Sequence, residues 1–425
     1  MLEKKVSRRE FLKTSAGAAV GAAVTAGSFS RALGANDKVG VGFIGCGGRG
    51  VAHIGYVSQL NKAGEAVEVI AVSDLYRPRL EAAARLCGAT SYMDHRELLA
   101  VPKVDVVCIA TPDHLHGYQV IDAVRAGKDV YCEKPITHWR QFELTKRVAQ
   151  EVKKHKRIVQ VGTQGMSDSA WHQAADLVKQ GAIGQPIHAE CGYFRIGDWG
   201  ERGMPIDDPN AAPGPNLNWE GFLSDSPKRE FSASRFFRWR MYWDYAGGPS
   251  TDLFPHSLTP VVKILGVSFP STVVASGGKF RYEEREVPDT FNMLIDYPEK
   301  ITVAVLGTQG NDYPATGNRG SPGKCPVIRG WEGTITFEGE KIFVRPQPGV
   351  ERPAKEVAIE HGESVLEHWR NFLACCRTRQ KPWSPIEDLG YHVQTALQMG
   401  ILSLREGKVA RFDREKEEIV FGRPA

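Results

Sequence analysis

From Lys38 to about Val161, short apolar runs alternate with stretches of helical length. The runs are 39–44, 67–72, 104–110, 129–132 and 158–161. They are rich in β-branched residues and largely lack polar–apolar alternation, which predicts strands covered on both faces, as in a parallel sheet. Helix is predicted over 78–86, 116–126 and 140–154. Strand alternating with helix points to a doubly wound α/β domain over 36–161.

After Gly162 the texture changes. A predicted helix over 170–180 is followed by a strand at 186–193 and a loop over 197–227 rich in Pro, Gly, Asn and Asp. Loops that long usually cover a site or make an interface. Strand candidates at 272–276, 289–296, 301–307, 333–337 and 341–345 follow one another without intervening helices, which predicts antiparallel pairing. Helices over 364–376 and 386–405 close the chain. The second domain, 162–425, is therefore expected to be α+β.

Composition narrows the picture. The 425 residues are 42% hydrophobic and 24% charged, which argues against a disordered or collagen-like chain and fits two globular domains. No run approaches 18 strongly apolar residues, so a polytopic membrane protein is not expected. The net charge of +4 has an address: residues 1–35 hold six basic and two acidic side chains, and the remainder holds 48 of each. The excess thus gives no reason to propose nucleic acid or a membrane as partner. In that segment Ser7-Arg8-Arg9-Glu10-Phe11-Leu12-Lys13 runs into an Ala/Gly-rich stretch, a layout that resembles a twin-arginine signal peptide. The resemblance implies recognition by the twin-arginine export machinery, release near Ala32 or Ala35, a periplasmic or extracellular protein with no stable membrane anchor, and folding around a cofactor before export.

Eight cysteines match no zinc or iron–sulfur spacing, and Cys46, Cys108 and Cys132 read as small core residues. Adjacent Cys375 and Cys376 fall on a predicted helix. A zinc site built from Asp113, His114, His116 and His138 lacks a further ligand at diagnostic spacing, so no metal is expected.

The candidate chemistry sits at the ends of the early strands. Gly45-Cys46-Gly47-Gly48-Arg49-Gly50 follows the first strand as G-x-G-x-x-G. Its glycines allow a tight turn and close approach of a pyrophosphate to a helix N-terminus. Asp74 ends the second run, 24 residues after Gly50, where a carboxylate can accept the adenosine ribose hydroxyls. It favours NAD over NADP, while Arg77, three residues on, keeps a 2′-phosphate open. Two further segments end strands at the ligand edge of such a sheet: Thr111-Pro112-Asp113-His114-Leu115-His116 and Cys132-Glu133-Lys134-Pro135. Thr111, Pro112, His114, His116, Glu133, Lys134 and Gln164 join the cofactor-binding candidates, together with Trp239 and Arg240 of the aromatic, basic stretch 238–245.

In order and spacing these motifs resemble the glucose–fructose oxidoreductase, inositol dehydrogenase and rhizopine-catabolism family (Gfo/Idh/MocA). The likeness continues through Gly181-Ala182-Ile183-Gly184, Gly247-Gly248 with Asp252 and His256, and Gly330-Trp331-Glu332-Gly333. It implies an N-terminal Rossmann domain and a C-terminal domain with a large open, mainly antiparallel sheet. One sheet face would make a homodimer or tetramer and the other would cover the nicotinamide. Lys134 would contact cofactor and substrate, His256 would serve as acid/base, and Asp252, four residues earlier on a helix, would share its face. The implied activity is NAD(P)-dependent oxidation of a secondary alcohol on a sugar or sugar-derived polyol. An exported enzyme meets no pool of free NAD, so the cofactor is expected to stay tightly bound. A redox-neutral NAD-dependent glycoside hydrolase, working by transient C3 oxidation and elimination, is the alternative. A non-catalytic nucleotide-binding sensor is the second.

Overall fold

Strand β1 (Val39–Ile44) is buried along its whole length and lies between β2 (Val67–Ser73) and β4 (Val106–Ile109), both parallel to it. The computed structural model describes residues 37–196, 204–313 and 326–422. The segment read as an export signal lies outside the described residues, as do 197–203 of the long loop and Cys325. With β3 (Thr90–Tyr92), β5 (Asp129–Cys132) and β6 (Val159–Val161) the first sheet is all parallel in the order β3-β2-β1-β4-β5-β6. This is the dinucleotide-binding order, whose topological switch lies between β1 and β4. Local chemistry supports the connecting helices. Arg77–Cys87 has Pro78 in its first turn and ends at Gly88, which is left-handed at φ 68°.

The second sheet has ten strands: β7 (Pro186–Phe194), β8 (Thr272–Gly278), β9 (Thr290–Tyr297), β10 (Ile301–Thr308), β11 (Val327–Gly330), β12 (Gly333–Glu338), β13 (Lys341–Pro346), β14 (Lys355–Ala358), β15 (Val409–Asp413) and β16 (Glu418–Gly422). Its order is β14-β13-β12-β11-β7-β10-β9-β8-β15-β16, antiparallel except where β7 and β10 run parallel. Helices Ser169–Lys179, Phe254–Leu265 and Tyr391–Glu406 share a core with one face, where Val273, Phe291, Ile295 and Val303 are fully buried. On the other face Val274 and Leu294, register partners on β8 and β9, stay about half exposed.

The two halves are not separated at residue 161 as cleanly as the strand pattern predicts. Helix Val365–Thr378, capped by Ser364, returns to the first sheet. There Trp369 stacks on Tyr131 with ring centroids 4.6 Å apart and planes 7° from parallel. Such a buried pair contributes about 0.5–1.5 kcal/mol beyond its area, so the last quarter of the chain helps hold the Rossmann layer.

Candidate active site

The turn after β1 is built by its glycines. Gly45 has φ +96°, and a Cβ there would lie 2.7 Å from the Ala110 carbonyl oxygen. A Cβ on Gly50 would lie 1.8 Å from the Gly45 carbonyl oxygen, so only glycine lets the helix sit this close to the strand. Helix Gly48–Lys62 then starts at Gly47 with no side-chain cap and no acid in its first turn. Its first N–H groups are left for an anion, which fits a dinucleotide pyrophosphate. Gly45, Gly47, Gly48 and Arg49 line a cleft of about 420 Å³, whereas the Cys46 side chain is buried against Ser73.

Asp74 also lines this cleft. Its carboxylate accepts from the backbone N–H of Cys46 at 2.7 Å and of Tyr76 at 2.8 Å. It therefore ties the glycine loop to the end of β2 and still keeps lone pairs for a ribose. Burial pushes its pKa up, with those two N–H bonds acting the other way.

Arg77 does not take the place expected of it. It points outward and donates to the Pro215 carbonyl at 3.3 Å, outside the cleft wall. Two residues on a helix turn by about 200°, so Arg79 faces inward instead. The Arg79 guanidinium lies 5.1 Å from the centre of the Phe237 ring, and its Nε donates to Asp207 at 2.5 Å. Both Arg79 and Asp207 line the cleft.

The segment after β4 brings a second correction of the same kind. The helix begins at Asp113 rather than His116, so residues 113 and 116 share a face and 114 does not. His114 turns into the core with Nε2 2.6 Å from the Phe222 carbonyl; burial pushes its pKa down to about 4. His116 lines the cleft, as do Thr111 and Pro112. Its ring lies between the carbonyls of Pro135 and Thr111 at 2.6 and 2.7 Å and so ties the two strand-end turns together. His138 likewise meets a carbonyl, that of Trp243 at 2.9 Å. Among the described residues no group of three or more His, Cys, Asp or Glu is arranged for a metal ion.

Glu133 acts inward. Its Oε1 accepts from Arg49 Nε and His53 Nε2, both at 2.8 Å. The Trp369 indole donates to His53 Nδ1 at 2.9 Å, which fixes the tautomer and leaves the His53 proton on Nε2. Burial opposes ionisation of Glu133, but Arg49 and His53 hold its pKa well below the usual carboxylate range. Gln164 contacts Arg49 at 3.5 Å and does not itself line the cleft.

At the far end Lys134 Nζ donates to the Asp252 carboxylate at 2.9 Å and to its carbonyl at 2.5 Å. Arg240 donates to the same carboxylate oxygen at 3.3 Å while stacking on Trp239, 4.2 Å from the ring centre. Burial works against the Asp252 charge, yet Lys134 and then Arg240 hold its pKa far below the usual range. Lys134, Trp239 and Arg240 line the cleft; Asp252 backs them. The single helix expected to carry Asp252 and His256 is interrupted at Leu253, between Pro249–Asp252 and Phe254–Leu265. His256 stands outside the cleft wall with its ring 6.4 Å from that of Tyr193.

Asp113, which the sequence places in a strand-end segment without marking it as a binding residue, is 4% exposed, lines the cleft and accepts from the Thr251 hydroxyl at 3.2 Å. Burial pushes its pKa up to about 7, Asp252 adding to the effect and Arg240 and Lys134 opposing it. The one signal for it was its place at the first turn of a helix after a strand end.

Both halves of the chain match known proteins. Residues 39–163 match the Gfo/Idh/MocA description "Oxidoreductase family, NAD-binding Rossmann fold", and 168–425 match its C-terminal alpha/beta domain. Inositol 2-dehydrogenase 3 of Saccharopolyspora erythraea is 32% identical over 154 residues, 36% of this chain and 44% of the relative. The matched segment thus spans less than half of that relative. Two solved structures share the fold. The WlbA dehydrogenase of Bordetella pertussis, in complex with NADH and UDP-GlcNAcA, has a TM-score of 0.64 at 20% identity, covering 88% of this chain and 99% of that one. The aldose-aldose oxidoreductase of Caulobacter crescentus, complexed with glycerol, has a TM-score of 0.64 at 19% identity, covering 88% and 100%.

Proposed function

Because the chain belongs to the Gfo/Idh/MocA oxidoreductase family, we propose that it is an NAD-dependent oxidoreductase acting on a secondary alcohol of a sugar or sugar-derived polyol. The observation that carries this reading is the single cleft joining the glycine loop to Lys134. NAD, when bound, supplies the acceptor for the carbinol hydride. The protein's own part is to hold the alcohol. Asp252 engages two of the three N–H donors of Lys134, leaving one for the substrate oxygen, where it stabilises developing negative charge. The family resemblance assigns the proton to His256, which stands outside the wall of this cleft, so that role requires the substrate to reach beyond the wall.

A retained cofactor is part of the proposal. Backbone bonds join Asn216 to Arg77 and Leu75 to Asn218, each at 2.9 Å, so the segment from Met204 onward is stitched to the end of β2. From it Met204, Asp207, Phe222 and Phe236 close the cleft opposite the glycine loop. Retention fits export by the twin-arginine route to a compartment without free NAD, and a cycle in which a second substrate restores the cofactor. The Caulobacter crescentus neighbour is likewise an aldose-aldose oxidoreductase by name. The exposed apolar positions Val274 and Leu294 support a dimer or tetramer formed through the open sheet face.

The test is to denature native protein and analyse the nucleotide released. Oxidised NAD near one per chain is expected. Protein with none, and no rise in melting temperature on adding NAD, would sink the reading.

A further inference from the structure

The reactive end of the cleft holds two buried carboxyl groups in different circumstances. Asp252 is held by hydrogen bonds from two cations, Lys134 and Arg240. Among the described residues Asp113 receives none from a cation; its carboxyl accepts one hydrogen bond there, from the Thr251 hydroxyl, on Oδ2 at 3.2 Å. A carboxylate has about four acceptor sites, so Asp113 can accept from a ligand as well. It lines the cleft at 4% exposure, where bulk water cannot satisfy it freely. The charged and titratable groups around it are Arg240 from the 239–241 turn, Asp252 from the short helix after Gly248, Lys134 from the end of β5, and His116 one turn along its own helix.

We propose that Asp113 is a specificity-determining residue that accepts a hydrogen bond from a hydroxyl of the substrate other than the one oxidised. Lys134 donates to the oxygen that reacts, and Asp113 accepts from a neighbouring O–H, so the site selects a vicinal diol. A deoxy carbon at the second position fits less well, because a buried acceptor left unpaired is costly. This rests on the sugar-oxidoreductase reading but does not share its fate. Hydroxyl binding at Asp113 requires only that a polyol occupy the cleft.

The test uses the full chain loaded with NAD and measures equilibrium binding of myo-inositol and D-glucose by calorimetry. Asp113→Asn keeps an amide oxygen for Thr251 and removes the charge. It is expected to weaken binding of the preferred probe at pH 8 by about 10–100-fold, the range for a charge-assisted hydrogen bond. When a probe turns over, the loss should fall on KM and leave kcat within a few-fold, because the second hydroxyl does not react. Wild-type affinity should also decline as pH falls through neutrality, as the carboxyl takes up a proton, and the variant should lose that dependence. Probe binding without NADH formation would defeat the oxidoreductase reading and leave Asp113 in place. Equal affinities in wild type and variant, or no binding of either probe, would overturn the proposal. So would a variant that loses NAD while keeping sugar affinity, since the hydroxyl bound would then be the ribose of the cofactor.

Discussion

The two ends of the cleft are built from different materials. At the adenosine end the glycine loop and the open helix N-terminus work through backbone N–H groups, and Asp74 holds the loop by accepting from two of its neighbours' N–H groups. At the reactive end the groups are side chains: Asp113 and Lys134 from one stretch, Arg240 and Asp252 from another more than a hundred residues later. Backbone recognition requires local sequence and little else. A side-chain cluster requires the whole fold to bring its members together. Damage at the first end should therefore appear as lost cofactor binding, and at the second as lost turnover at Lys134 or lost substrate affinity at Asp113.

The largest effect should come from Lys134→Ala. The variant removes the donor for the reacting oxygen, and loss of one such donor typically costs 10²–10³ in kcat. Arg240 remains on Asp252, so the buried carboxylate keeps a partner and the fold should survive. NAD-induced stabilisation should persist, and the rate of single-turnover NADH formation, followed by fluorescence, should fall by about 10²–10³-fold. A variant that loses NAD affinity but keeps its turnover would erase the division between the two ends.

Gly50→Ala probes the other end. The added Cβ would meet the Gly45 carbonyl at 1.8 Å, and backbone cannot move aside as a flexible side chain can. Overpacking of this kind costs about 1–3 kcal/mol. Thermal unfolding should show a lower Tm, and the rise on adding NAD should shrink or vanish. An unchanged response to NAD would mean that the close approach of helix to strand is not what shapes the pyrophosphate site.

This contrast also explains what was legible in the sequence. The bounds of β1 and β5 coincide with their apolar runs, because buried parallel strands leave an unbroken signature. The short edge strand β3 shows none, since Thr90 and Ser91 are exposed and mark no core. β15 and β16 also went unseen; their pairing places β15 beside β8, a neighbour more than 130 residues earlier. In the site, the glycine loop and Asp74 were legible because their geometry is local. Arg77 and His114 were misplaced because one or two steps along a helix decide which side faces the cleft. Asp113 had only a weak local signal, its place at the first turn of a helix after a strand end; the hydrogen bond it accepts comes from Thr251, 138 residues away.

The finest test falls on the contact that joins the long loop to the glycine-loop end. Arg79 and Asp207 form a hydrogen-bonded ion pair at 2.5 Å, and their side chains keep 25% and 29% of their exposure. Solvent screening at that exposure limits such a pair to about 0.2–1 kcal/mol. If Asp207 helps the loop segment hold the cofactor in place, Asp207→Asn should speed NAD release by about 1.5–5-fold, the kinetic equivalent of that range. Arg79 would still lie over Phe237, so the wall should keep its shape. Stopped-flow displacement of bound NADH at low and high salt measures both rates. Added salt should accelerate release from wild type and change the variant little, because the screened pair is already gone. Equal release rates at low salt would mean that the closure is made by the apolar contacts of Met204, Phe222 and Phe236 alone, and that this ion pair takes no part in retaining the cofactor.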